Sequence, residues 1–235
     1  MNLDQMLKGG WWGESPFADR RMIVTPAHPS NYYTQRVCKP IAGVFHEPQE
    51  PSDNYESTPV YFQTPNIQAS TRYYNDNDGD VYQMVPIDRP AIANGLDGMP
   101  MPKFNDGGPE FGAFSINDQT ENSEVEGMTA TIAKTMTEAQ WQGCVDVGVL
   151  WMVQWDWPRS VGRFLSHKQL SRNRTDGEWI VKQSGIPQEV VKRVLKIEKD
   201  IIDLKGYAWN AASKNNGQDT ILINHALRLN ELEKK

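Results

Sequence analysis

The sequence predicts an α+β protein with an irregular, extended, β-containing N-terminal half and a helical C-terminal domain. Three observations carry this. Thirteen of the fifteen prolines fall before residue 110, and each lacks an amide donor and disfavours a helix interior, so long helices are not expected there. Residues 135–235 instead repeat apolar side chains at helical spacing. Charge divides the same way: residues 159–235 hold 15 Lys plus Arg against 9 Asp plus Glu, a net of +6, while the remainder nets −12. The expected organisation is an extended Pro/Asn/Tyr-rich arm with short β-hairpins over 1–113, an acidic linker over 114–134, and a helical domain over 135–235.

Along the arm, Met1 to Gly9 suits a short helical turn, and four stretches have strand composition: Arg36 to Phe45, Pro59 to Thr64, Ser70 to Tyr74 and Val81 to Ile87. Asn75 to Asp80 separates the last two, with residues that tolerate a tight turn, so a hairpin is expected. Asp76, Asp78 and Asp80 invite a calcium reading. An EF-hand register fails, because Tyr74 would take the first ligand position and Val85 the twelfth. Trp11, Trp12, Phe17, Tyr32 and Tyr33 have no regular period that would bury them within the arm. They are either packed locally or anchors on a partner protein. Pro90 to Gly112 reads as a draped loop, and the acidic stretch after it as a solvated connector.

In the trailing half, Thr135 and Glu138 have capping-box spacing, as do Thr137 and Gln140, and Trp141, Val145, Val149 and Met152 follow at helical steps. A buried helix of about five turns ending before Pro158 is expected. Pro158 then suits the start of a second helix carrying Val161, Phe164 and Leu165. Ile180, Gly185, Ile186, Val191 and Val194 stand at the inward positions of a helix-turn-helix, with Gly185 at the turn, and residues 177–196 resemble that motif. Val181 departs from the pattern, where a small residue is usual. Residues 207–223 then form either the β-wing of a winged helix or a helical continuation, and His225 to Glu233 a closing helix.

The resemblance implies DNA contact by Gln188, Glu189, Lys192 and Arg193 at the start of the second helix, with Arg172 and Arg174, along with Arg163, Lys168 and Lys214, on phosphates. Their plainer role is a solvated helix face. No catalytic signature is present: no GxSxG, no GxxxxGK[ST], no HExxH. His28, His46, His167 and His225 are scattered without ligand spacing, and Cys38 and Cys144 form no pair. No metal and no cofactor is expected. The longest apolar run, Val147 to Trp157, is too short for a membrane span, and no leader opens the chain, so a virion or host-cytoplasm location without secretion is expected. A proline-rich polar arm buries too little apolar surface to offset its ordering entropy. The expectation is therefore a non-enzymatic structural component of a large assembly such as a phage particle, in many copies, with the arm on neighbouring subunits. The alternative is a DNA-binding regulator or replication accessory using the helix-turn-helix on double-stranded DNA.

Overall fold

A computed structural model describes residues 7–8, 11–12, 15, 21–47, 57–95, 100–127 and 136–214. The chain divides into two compact units, Met1–Val191 and Lys192–Lys235. The first holds a mixed six-stranded sheet and everything that bears on the site. Its strands, in spatial order, are β3 (Met22–Val24), β6 (Val81–Gln83), β5 (Tyr73–Asn75), β7 (Thr120–Val125), β4 (Ala42–His46) and β8 (Phe164–Ser166). Only the β5–β6 pair is antiparallel; β7, β4 and β8 run parallel side by side. A separate two-stranded ribbon pairs β1 (Leu7–Lys8) with β2 (Trp11–Trp12). The α+β class holds, with a central sheet and helices, and that one sheet takes strands from both halves of the chain.

The expected hairpin forms between β5 and β6. The Asp76 carboxylate accepts the amide of Asp80 at 2.8 Å across its turn, the local bond that makes aspartate a turn former. The Pro59 stretch is a helix, α1 (Ser57–Gln63), because a proline in the first turn gives up no intrahelical bond. The stretch expected to be a solvated connector contains α2 (Ile116–Gln119) and the central strand β7, whose Thr, Glu, Asn and Ser side chains are buried. They are tolerated because they find partners. Glu121 receives Arg72 through a short ion pair and Arg36 at 3.3 Å, and Asn75 donates to Ser123 at 2.5 Å. Buried polar groups with such partners cost little, whereas unpaired ones would oppose folding.

The helix expected after residue 135 is α3 (Glu138–Gln154), capped by Thr137, whose side chain accepts the amide of Gln140. Trp151 from α3 lies on the sheet, 5.3 Å from Phe45 and 6.2 Å from Tyr73 between ring centroids. Gly43 on β4 permits this approach: a Cβ there would stand 2.5 Å from the Trp151 ring. Burying such a ring contributes about 2–3 kcal/mol. One turn earlier, Gly148 lets Val190 and Phe164 approach the helix, where a Cβ would stand 2.6 and 3.2 Å from them. The helix expected after Pro158 is instead the strand β8. Phe164 and Leu165 point to opposite faces, and both faces are covered, by Phe45 and Trp157 on one side and by the Ile41, Val44 and Leu170 cluster on the other. Parallel pairing with β4 outweighs helix propensity there.

Arg163, expected to grip phosphate, is fully buried. Its guanidinium pairs with Asp106 at 2.5 and 2.8 Å, donates to the carbonyls of Ile41 and Pro109, and lies 4.0 Å above the Phe104 ring. It clamps the glycine- and proline-rich loop onto the sheet. Two of the aromatic residues singled out in the leading half, Trp12 and Tyr32, turn inward. Trp12 is buried, with its amide donating to Gln83 and its indole to Tyr73. Tyr32 joins Phe62, Tyr74, Met84 and Val85 in a core cluster. Trp11 is half-buried, Tyr33 is exposed, and Phe17 lies outside the described residues.

After β8 come α4 (His167–Leu170), α5 (Glu178–Lys182) and the long helix α6 (Ile186–Lys214). The helix, glycine corner and helix read from the sequence are therefore present, with Gly185 in the left-handed region and Ile180 and Ile186 buried. Residues 207–214 continue α6 as helix; 215–223, the rest of the expected wing, and the expected closing helix lie outside the described residues.

Candidate metal centre

Three neighbouring parallel strands deliver polar side chains to one end of the sheet. His46 is the last residue of β4 and, by register, lies opposite Glu124 of β7. Phe45 pairs with Ser166 of β8, which brings His167, the next residue, alongside His46. Asp176 arrives from the turn before α5. That turn is set by Gly177, whose φ is +78° and where a Cβ would stand 2.0 Å from the Phe45 carbonyl oxygen. Only glycine combines that dihedral with that contact, so Asp176 is seated against the backbone that carries His46.

The three groups converge. The Nδ1 atoms of His46 and His167 lie 3.1 Å apart, and Asp176 Oδ2 is 3.2 Å from the His167 Nδ1 and 3.4 Å from the His46 Nδ1. All three residues are buried. A tetrahedral zinc ion with ligand bonds of about 2.0–2.1 Å requires ligand-to-ligand edges of about 3.3–3.4 Å, close to those of this triangle. Two imidazoles and a carboxylate are also the donor set zinc takes. His46 has the outer support usual for such ligands, its Nε2 facing Asn122 Oδ1 at 3.3 Å.

The electrostatics fit a cation. Burial works against a charged His46, but the hydrogen bond to Asp176 and the fields of Glu124 and Asp176 outweigh it and raise its pKa. For His167 burial prevails over the same carboxylate, and the His46 charge adds to it, so its pKa falls. One positive charge is favoured in the triangle and a second, 3.1 Å away, is not. Asp176, despite burial, is held well below the usual carboxylate range by its hydrogen bonds from both histidines.

Glu124 is pushed by burial, with the Asp176 charge adding to it, from 4.5 up to about 7. Its Oε2 is buried without a hydrogen-bond partner. Because the folded-state pKa exceeds the unfolded one, the native state retains a proton that the unfolded chain loses, and stability falls as pH rises from 4.5 towards 7. Glu124→Gln in metal-free protein is expected to flatten that part of the profile of thermal midpoint against pH. An unchanged slope would assign it to another group.

A cleft of about 270 Å³ opens over these groups, lined by His46, Glu124, His167, Arg174, Tyr61 and Ile92 among others. Of the residues expected from the sequence to bind DNA or a partner, Arg174 alone lines it. Arg172 and Gln188 are exposed and Glu189 is half-buried on α6; Lys192 and Arg193 belong to the second unit. Sequence reasoning missed His46, His167 and Asp176, and the one local signal concerns the histidines alone, each of which follows a short run containing apolar residues. Ala42–His46 and Phe164–His167 both run from apolar residues into a histidine.

No family model and no curated protein matches the chain. Solved structures do. The AmpD selenomethionine derivative shares 20% identity over 78% of this chain and 98% of its own, with a TM-score of 0.50. The PlyG catalytic domain shares 17% over 74% and 95%, at 0.53, and a mutant endolysin from Bacillus subtilis 14% over 73% and 99%, at 0.51. The fold is that of AmpD and the endolysins.

This overturns three expectations. The chain is not a structural arm of an assembly: residues before 114 supply four of the six strands of a sheet in a fold shared with AmpD and PlyG, and bury Trp12 and Tyr32 within it. Nor is it a DNA-binding helix-turn-helix domain. Its glycine corner packs Trp141 of α3, whose indole donates to the Ser184 carbonyl at 2.9 Å, inside the fold shared with AmpD and PlyG. The expectation of no enzyme fails on the same fold and on the buried His46, His167 and Asp176 cluster.

Proposed function

We propose that this chain is a metal-dependent peptidoglycan amidase, hydrolysing the amide bond that joins the lactyl group of N-acetylmuramic acid to L-alanine. The observation that carries the reading is the triangle of His46, His167 and Asp176, open to a cleft beside Glu124, on a fold shared with endolysins. Zinc held by those three residues, when bound, polarises an amide carbonyl and acidifies water.

The chain's own residues supply the rest. Glu124 is a cleft carboxylate whose pKa is raised to about 7, which suits taking a proton from water and passing it to the departing amine nitrogen. Asp176, with its depressed pKa, stays anionic and serves as ligand. Arg174 presents a guanidinium at the cleft, and its charge is felt by both Glu124 and His167. It is placed to balance negative charge on the substrate or in the transition state. Thr58, Tyr61 and Phe62 from α1 and Ile92 and Ala93 from the facing loop form walls that orient the peptide stem.

Zinc-loaded protein incubated with purified sacculi is expected to release peptides with a free N-terminal alanine amine and to leave the glycan strands intact by mass spectrometry. Chelation is expected to stop release. New reducing sugar ends without new amines would overturn the assignment.

A further inference from the structure

A chain of buried polar side chains runs behind His46, and its hydrogens can be assigned one after another. Thr120 Oγ1 lies 2.7 Å from the carbonyl oxygen of Ile116. Its hydroxyl hydrogen is committed there, so towards Asn94 it can only accept. Asn94 Nδ2 stands 2.8 Å from that oxygen and 2.7 Å from Asn122 Oδ1, and donates to both. Turned over, Asn94 would set its carbonyl oxygen against an acceptor at Thr120. It is therefore held this way round although its own Oδ1 is buried without a partner, a cost the surrounding bonds impose. Asn122 in turn presents its oxygen to His46 Nε2 at 3.3 Å. An acceptor at that place calls for a hydrogen on Nε2 and opposes the hydrogen that Asp176, 3.4 Å from Nδ1, would draw to that atom, so the relay favours neutral His46 with its lone pair on Nδ1, in the triangle with His167 and Asp176.

The same residues reach the cleft. Asn117 Oδ1 accepts the amides of Ala93 at 3.2 Å and Asn94 at 2.8 Å, and its Nδ2 donates back to the Asn94 carbonyl at 3.3 Å. Ile92 and Ala93 line the cleft wall. Asn94, Asn117, Thr120 and Asn122 are all buried, so water does not compete for these bonds.

We propose that Thr120, Asn94 and Asn122 are positioning residues: a one-directional hydrogen-bond relay that holds neutral His46 as the Nε2–H tautomer, aims its Nδ1 at a metal ion, and ties the cleft wall at Ile92 and Ala93 to that ligand. This rests on the metal-dependent reading above, but it concerns the tautomer, which can be read without metal. A relay of amides and one hydroxyl gives a fixed polarity without adding charge, and outer groups of this kind typically change metal affinity by about 10–100-fold.

The test uses the full chain and zinc alone. Zinc affinity is measured by competition with a chromophoric chelator, and the His46 tautomer by 15N shifts of the ring in metal-free protein, at a pH where the imidazole is neutral. Wild type is expected to show one tautomer. Asn122→Leu is expected to show a mixture and to bind zinc about 10–100-fold more weakly, while Asn122→Asp, which keeps an acceptor oxygen in place, recovers most of that loss. Wild-type tautomer and affinity in a folded Asn122→Leu protein would overturn the relay. Should that variant not fold by circular dichroism, Thr120→Val decides: it removes the acceptor that orients Asn94 and is expected to mix the tautomers, and an unmixed ring overturns the proposal. Zinc-binding, amide-cleaving wild type with an unaltered Asn122→Leu would sink the relay alone. Wild type that holds no zinc would sink the metal-dependent reading, leaving the tautomer measurement to judge the relay.

Discussion

His167→Ala is expected to reduce peptidoglycan amide cleavage by at least about 10³-fold and to weaken zinc binding by about 10²–10³-fold. The second figure follows if four ligands share roughly 10–16 kcal/mol of binding, about 2.5–4 kcal/mol each. The structure says why no neighbour substitutes. His167 and His46 present their Nδ1 atoms 3.1 Å apart, each fixed by its place at the end of a strand. The other His167 nitrogen, Nε2, is buried without a hydrogen-bond partner, so the ring is anchored by packing and by Asp176. Removing it leaves two ligands and a hole that α4 cannot close. The fold should survive, because His167 is held neutral by burial and contributes little charge pairing to the metal-free state. Isothermal titration with zinc and amine release from sacculi are the measurements. Hydrolysis at the wild-type rate would show that the cluster is not the reacting centre.

Glu124→Gln is expected to lower kcat by about 10²–10⁴-fold, the usual worth of a positioned general base, while zinc content and KM stay close to wild type. Register places Glu124 beside His46 and outside the triangle itself, and glutamine keeps its shape while losing its basicity. Burial raises the carboxyl to about 7 in the metal-free protein, which makes it able both to accept and to return a proton near neutral pH. The two predictions separate cleanly. Loss of His167 should remove metal and activity together, and loss of the Glu124 charge should remove activity alone. A zinc content that falls in step with the rate in Glu124→Gln would give Glu124 a structural part instead.

Several elements were legible from composition and spacing because their cause is local. The β5–β6 hairpin follows from residues that turn readily between two Tyr- and Val-containing strands, and α3 follows from its cap at Thr137 and its buried apolar steps. The glycine corner at Gly185 follows from the same kind of pattern, though its helices serve to cover α3 and not to read DNA. The errors share a different cause. The polar strand β7 looks solvated because its partners, Arg36 and Arg72 for Glu121 and Asn94 for Asn122, lie 28 to 85 residues away. Proline-rich stretches look unable to bury enough surface, yet Arg163 draws Asp106 and Pro109 onto the sheet from more than 50 residues away.

What the chain's order of residues determines unaided is therefore the mixed class, the buried helix, the hairpin and the turn at Gly185, all set by patterns within a few residues. The metal centre was settled only in three dimensions. His46 and His167 are 121 residues apart, and no linear spacing announces them. Parallel strands can be joined only through long crossovers, so the residues that meet at their ends come from distant stretches, and it is the register of β7, β4 and β8 that turns a glutamate and two scattered histidines into one site.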